Sequence, residues 1–159
     1  MFQSRRTVSW SLAVGLTLLL LEGCRTGPPE PAPDNTGTAD SIARVLEADT
    51  RLGTIRNHAG ETAPLHVGLE AYAQSLAELD FQGCPAEFID AFSEHREAWL
   101  ASVPFFERHS DLRGELHDVF ELIRAYGGED QAALEEHEQA IWSTWRKVEA
   151  AGGLEDSTP

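Results

Sequence analysis

Apolar residues recur along most of this chain at spacings of three and four, the repeat of one helix face, and not in the alternation of a half-buried strand. The pattern predicts five helical segments. The first runs from about Asp40 to Ala59, with Ile42, Val45, Leu46, Leu52 and Ile55 on one face and Gly60 placed to end it. The second starts near Thr62-Ala63-Pro64 and carries Leu65, Leu69, Tyr72, Leu76 and Leu79 on a stripe that Gly83 closes. The third opens at "CPAEF". Pro85 suits the first helical position, where its missing N–H needs no partner, and Cys84 then falls at the cap with Glu87 three residues on, the spacing of a capping box. Phe88, Phe92, His95, Trp99 and Val103 line up, Pro104 is expected to break or kink the helix, and "FFERHS" reads as a short turn. The fourth opens at Ser110 or Asp111, both normal N-caps, with Leu112, Leu116, Val119, Phe120 and Ile123 as its apolar face up to Gly127-Gly128. The fifth, about Glu129 to Ala151, carries Leu134, His137, Ile141, Trp145 and Val148 behind an acidic first turn, which the helix dipole favours. Short connections place neighbours antiparallel. The expected fold is all-α: an antiparallel up-down bundle of four to five helices over residues 41–152, with a loose tail at 153–159.

The first forty residues follow another pattern. Arg5 and Arg6 precede an uncharged run from Thr7 to Leu21. As a helix that run would reach about 22 Å, short of the ~30 Å hydrocarbon core. A basic start, a short apolar stretch and small residues at its end have the form of a secretory signal. Leu21-Glu22-Gly23-Cys24 resembles the lipobox of bacterial lipoproteins, which reads Leu, a small residue, Gly or Ala, then Cys. Glu22 departs from the pattern, since that place normally holds a small uncharged residue. In that family the thiol receives a diacylglyceryl group, a peptidase cuts just before it, and the new N-terminus is usually acylated. The resemblance implies a signal peptide at 1–23, a covalent lipid on Cys24 in place of any other cofactor, and a cell-envelope protein held on the membrane by its anchor. Arg25 stands where an Asp often retains lipoproteins at the inner membrane, so the implied address is the periplasmic face of the outer membrane. "SRRTVS" also shares the paired arginines of a twin-arginine export signal, without the large apolar residues that follow them there. Residues 24–40 contain Pro28, Pro29, Pro31 and Pro33 among Gly, Asp, Asn and Thr; this stretch cannot bury a core and reads as a disordered tether.

Charge narrows the partners. The chain has 27 acidic and 12 basic residues, a formal net of −15, and loss of Arg5, Arg6 and Glu22 makes it one unit more negative. Such a surface repels nucleic acid and anionic headgroups, so no nucleic-acid partner is expected and the membrane must be reached through the anchor. With Cys24 lipidated, Cys84 has no partner for an intramolecular disulfide, and the fold must rest on its apolar core.

The candidate chemistry is sparse. His95 and His137 both fall on apolar stripes, and inward histidines from two helices could hold a haem or a metal. Neither the Glu-x-x-His pattern of di-iron bundles nor Cys-x-x-Cys-His occurs, and the sole Met is Met1, so the plainer reading is two core histidines bonded to Tyr72, Tyr126 or a backbone carbonyl. Cys84 at a helix start would feel the positive dipole end, which lowers a thiol pKa and makes it a reactive-thiol candidate; a cap or half-buried apolar role is the alternative. His117 and Glu121 could pair across one turn, and Glu135-Glu136-His137-Glu138 could gather a divalent cation. Trp99, Trp142 and Trp145 could line a pocket, though core padding is the plainer reading for Trp99 and Trp145; Trp142, at the stripe edge, is a contact-surface candidate. Phosphate-loop, Gly-x-Ser-x-Gly and His-Glu-x-x-His motifs are absent. "CPAEFIDAFSEHREAW", Cys84 to Trp99, resembles a segment of uncharacterised bacterial helical proteins and implies that Pro85, Phe88, His95 and Trp99 work together. The expected function is a binding or scaffold module of the cell envelope rather than an enzyme, with an envelope protein as a possible partner. The alternatives are a metal- or haem-binding bundle using His95 and His137, and a thiol-dependent enzyme using Cys84.

Overall fold

A computed structural model describes residues 35–154. The signal-like run, Cys24, the prolines of the tether and the last five residues lie outside the described residues. The described residues are all-α, with five helices: α1 (Asn35–Thr62), α2 (Leu65–Ala77), α3 (Ala86–Glu107), α4 (Leu116–Tyr126) and α5 (Gly128–Ala151). No strand occurs among the described residues, and none of their helices is long and apolar enough to cross a membrane.

Side-chain pairs give the helix directions. Across α1 and α2, Asp49 meets Tyr72 and Ala59 faces Gly68. Across α2 and α3, Tyr72 meets Trp99, Ala73 meets Arg96, and Phe81 beyond the end of α2 meets Phe88. Across α3 and α5, Glu94 meets Lys147, His95 meets Thr144, and Phe105 meets His137. Each of these three pairs is therefore antiparallel. The packing follows a closed circuit, α1 on α2, α2 on α3, α3 on α5, α5 on α4 and α4 back on α1.

The core is the set of stripes read from the sequence. Leu65, Leu69, Tyr72 and Leu76 of α2, Phe88, Phe92, His95 and Trp99 of α3, Val119, Phe120 and Ile123 of α4, and Leu134, Ile141 and Val148 of α5 are buried. Burial of each large apolar side chain stabilises the fold by roughly 1.5–3 kcal/mol relative to exposure.

Four local expectations are corrected. Residues 35–40, expected in the tether, form the first turns of α1. Ile55, expected on the core face, is 68% exposed, because the buried register of α1 passes through Asp49 and Arg56 instead. Pro104 does not end α3: the helix runs on to Glu107, and Phe105 and Phe106 behind it are both buried. An interior proline costs about 3 kcal/mol, and two buried phenylalanines together return at least that much, so packing wins. Finally, α4 starts at Leu116, not at Ser110 or Asp111. Ahead of it Gly114 takes φ +143°, a conformation open to glycine, and its N–H donates to the Gly60 carbonyl at 3.1 Å. That bond pins the loop to the C-terminal end of α1.

The contact is tight. A Cβ on Gly60 would stand 2.5 Å from the Gly114 carbonyl oxygen, while one on Gly37 would meet nothing within 4 Å. Gly60→Ala should therefore destabilise the protein by about 1–3 kcal/mol, whereas Gly37→Ala, also in α1, should be neutral or stabilising by about 0.5–1 kcal/mol. Urea denaturation midpoints of the two variants check this, and equal midpoints would remove the Gly60–Gly114 contact from the account.

Candidate ligand-binding cleft

Every third or fourth residue of α1 turns inward, and the sequence Ile42, Val45, Asp49, Leu52, Arg56 shows what that brings in. Two charged residues occupy places where the other helices carry apolar ones. Arg56 and Asp49 reach the same space as Tyr72 of α2, His95 and Trp99 of α3, Phe120 of α4 and Ile141, Trp142 and Trp145 of α5. Together they line a cleft of about 530 Å³, with Asn57, Glu115, Leu116, His117 and Glu138 completing its wall. Side chains of α1 to α5 and of Glu115, just ahead of α4, converge on it, so the cleft exists only when the circuit of helices closes.

The inner wall is a chain of polar groups set among rings. The Tyr72 hydroxyl donates to Asp49 Oδ1 at 2.6 Å, a short charge-assisted bond. The Tyr72 and Trp99 rings meet edge to face, with centroids 5.6 Å apart and planes at 86°. Into that corner fits the Arg56 guanidinium, its central carbon 4.6 Å from the Tyr72 centroid and 4.3 Å from that of Trp99. Such cation–π contacts strengthen as water is removed. Trp99 Nε1–H donates to His95 Nε2 at 3.1 Å, which leaves the proton of the neutral ring on Nδ1, 3.1 Å from Thr144 Oγ1.

Burial shapes the electrostatics of this wall. It pushes the His95 imidazole down to about 4, with the Arg56 charge acting in the same direction and a backbone contact to Ile141 opposing it. Burial also raises the Asp49 carboxyl, against the Tyr72 hydroxyl and the Arg56 charge. The Arg56 guanidinium is lowered by burial, against Tyr72 and Asp49, and stays charged. Its hydrogen bonds run from Nε and Nη2 to the Asn57 amide oxygen, at 3.3 and 3.0 Å.

The outer wall differs. Trp142 is 60% exposed at the mouth. The Trp145 indole N–H donates to Glu149 at 2.9 Å, and its ring lies against His95. Glu138 is held by Arg124, whose Nη2 reaches its two oxygens at 2.6 and 2.7 Å.

The residues singled out from sequence distribute as follows. Trp99, Trp142 and Trp145 are brought together in the cleft, with His95 beside them. His137 is not: it packs on the Phe105 ring, ten residues further along α3, or about 15 Å at helical rise. His95 and His137 therefore do not converge on one ion, and both nitrogens of His95 are engaged by Trp99 and Thr144, not by Tyr72, Tyr126 or only a backbone carbonyl. Cys84 does not cap α3, since the N-cap is Pro85 without a side-chain bond. Burial pushes its thiol up, against Arg44 and with Asp80, so the thiol is not activated by the helix start. Glu121 pairs with Arg124 at 2.6 Å, not with His117, which faces the cleft. The run Glu135 to Glu138 disperses, Glu135 to Gln131 and Glu138 to Arg124. Among the described residues the group that gathers metal-ligating atoms is His58, Glu61 and Glu115, within 4.8 Å of one another and all exposed.

The apolar pattern does not mark Asp49 and Arg56, because it registers apolar positions alone. Their signal was a polar residue at a stripe position, spaced seven apart between apolar neighbours. Among the described residues the cleft lining contains no serine or cysteine, and both ring nitrogens of His95 are engaged, by Trp99 and Thr144. No protein-family model, curated protein or solved structure matches this chain.

The committed, neutral His95 makes stability depend on pH. Its folded value of about 4 lies below the ordinary 6.5, so the unfolded chain binds the extra proton between those values. The contribution is whole above pH 6.5, declines as pH falls towards 4, and totals about 3 kcal/mol. His95→Gln, which keeps an acceptor and a donor, should flatten that part of the profile. Urea midpoints from pH 7 to pH 4 for both proteins test this, and parallel profiles would show that His95 is not buried neutral.

Proposed function

We propose that this chain is a lipid-anchored cell-envelope protein whose helical bundle is a binding module, with the cleft as its ligand site. The observation that carries the reading is the cleft itself. Its volume of about 530 Å³ falls within the range of roughly 300–1,000 Å³ typical of small-molecule sites. Its walls combine the rings of Tyr72, Trp99, Phe120, Trp142 and Trp145 with polar side chains, and the inner polar groups are held by hydrogen bonds before any ligand arrives. Such preorganisation removes the ordering penalty that weakens binding by flexible surfaces. Trp142 at the mouth is the residue a ligand or an envelope-protein partner would meet first.

Leu21-Glu22-Gly23-Cys24 and the prolines that follow support the anchored half of the reading. A doubly acylated Cys24 holds a chain stably on a bilayer, where one acyl chain does not. On that reading the acidic bundle stands away from anionic headgroups, on the periplasmic face of the outer membrane, and reaches its ligand in the aqueous space.

Two measurements test the halves separately. In cells fed a fatty-acid analogue, the full chain should be labelled and sediment with membranes, and Cys24→Ser should lose the label and become soluble; an unlabelled wild-type chain would end the anchored reading. For the cleft, the neutral dye N-phenyl-1-naphthylamine should bind saturably with a rise in emission. Trp142→Ala should weaken it about tenfold, the effect of losing one aromatic wall. Unsaturable dye emission, or emission indifferent to Trp142, would end the ligand-site reading.

A further inference from the structure

Taking the cleft as a ligand site, the partners of its charged groups identify what it lacks. Each carboxylate on the wall has a donor or a cation. Asp49 accepts from Tyr72, Glu138 is gripped by Arg124, and Glu115 lies 3.5 Å from His58 Nδ1. Arg56 is the exception. Its central carbon lies over the Tyr72 and Trp99 rings, and its hydrogen bonds end on the neutral Asn57 amide oxygen, with the neutral Tyr72 hydroxyl beside it. A guanidinium offers five N–H donors in its plane and matches a carboxylate edge to edge. Asp49, the nearest charge of opposite sign, acts on it across space but forms no ion pair with it.

We propose that the cleft binds a small monocarboxylate with a flat apolar body, its carboxylate taken by Arg56 and its body set against Trp142, Trp145 and Phe120. This proposal rests on the cleft being a ligand site and adds the class of ligand. Two features select a single negative charge. Among the described residues Arg56 is the one arginine or lysine that lines the cleft, and the carboxylates of Asp49, Glu115 and Glu138 line it as well, so a dianion such as a phosphate monoester meets repulsion that one guanidinium does not offset. A neutral ligand of the same shape gains the aromatic wall but leaves Arg56 as it is. The acidic exterior does not forbid a monoanion, because at physiological salt its field decays over about 8 Å while contacts inside the cleft are screened far less.

Arg56 is read from the inside of the fold. The corner formed by Tyr72 and Trp99 fixes where the guanidinium lies, and the Trp99–His95–Thr144 chain fixes Trp99. Recognition therefore needs no movement of the arginine, which is the condition under which one charged contact yields a large preference.

Isothermal titration of the full chain with 2-naphthoate, 2-naphthamide and 2-naphthyl phosphate tests the assignment. The first two share one shape and differ in charge, so wild-type protein needs no variant to decide. Naphthoate should bind at least about tenfold tighter than the amide, as for a hydrogen bond to a charged group, and tighter than the phosphate. Arg56→Gln should erase the preference for naphthoate over the amide, and Arg56→Lys should keep part of it, with far-UV circular dichroism confirming that both variants are helical. Equal wild-type affinities for naphthoate and amide would overturn the carboxylate assignment and leave the ligand-site reading standing. A phosphate that binds tightest would overturn the single-charge argument, and a preference that survives in Arg56→Gln would remove Arg56 from it. Binding of none of the three would overturn both readings.

Discussion

A carboxylate and a guanidinium, two turns apart on one helix, enter an aromatic interior, and their burial is the constraint on which the arrangement of this bundle depends. Charged groups out of water are tolerated only when hydrogen-bonded or otherwise compensated. Here the compensation is spread over the neighbouring helices. Tyr72 supplies a hydroxyl to Asp49, Tyr72 and Trp99 supply ring faces to Arg56, and Trp99 is in turn held by a histidine that leans on Thr144. Four helices contribute to one polar chain, so that none can slide past another without breaking it. Apolar contacts alone permit more registers, because hydrophobic attraction has little direction.

The same chain explains why a cavity persists where a core would otherwise close. Along α3 the side chains form three layers. Phe88 and Phe92 pack with Phe81 at one end, and Phe105 and Phe106 pack with Phe120 and His137 at the other. Between them lie His95 and Trp99, which carry hydrogen-bonding edges and cannot be packed as freely as phenylalanine. The two phenylalanine layers act as clamps, and the middle layer is held open by groups that must keep their partners. Proline 104 sits between the middle and far layers, and the buried residues on each side of it hold the helix continuous.

The exterior contributes differently. The ion pairs of Arg51 with Glu47 and of Lys147 with Glu94 are exposed, and pairs of this kind are worth at most about 1 kcal/mol. The excess of acidic residues therefore bears on solubility and on which surfaces the protein avoids, more than on its fold. Arg124 is more consequential, since it ties α4 to α5 through Glu138 at the edge of the cleft and so shapes the wall that a ligand meets.

Helix number, approximate extent and most of the core were legible in the linear sequence, because apolar residues at three- and four-residue spacing can be buried together only on a helix face. Leu69, Phe92, Ile123 and Val148 were placed by that rule alone. The sequence also carried the resemblance at Cys24, which depends on local chemistry and not on folding. What only the tertiary structure decided was which polar residues turn inward and what they meet. Ile55 and Arg56 are adjacent, and the choice of which is buried depends on the twist of α1 against α2 and α4. Pro104 and the late start of α4 were settled by Phe105, Phe106 and the Gly60–Gly114 bond, contacts far apart in sequence. His95 and His137 looked alike on their stripes, yet one joins the cleft and the other lies ten residues along a neighbouring helix. Periodicity states which face a residue occupies, but not its height against a partner, and it is height that brings Asp49, Arg56, Tyr72, His95 and Trp99 to one place.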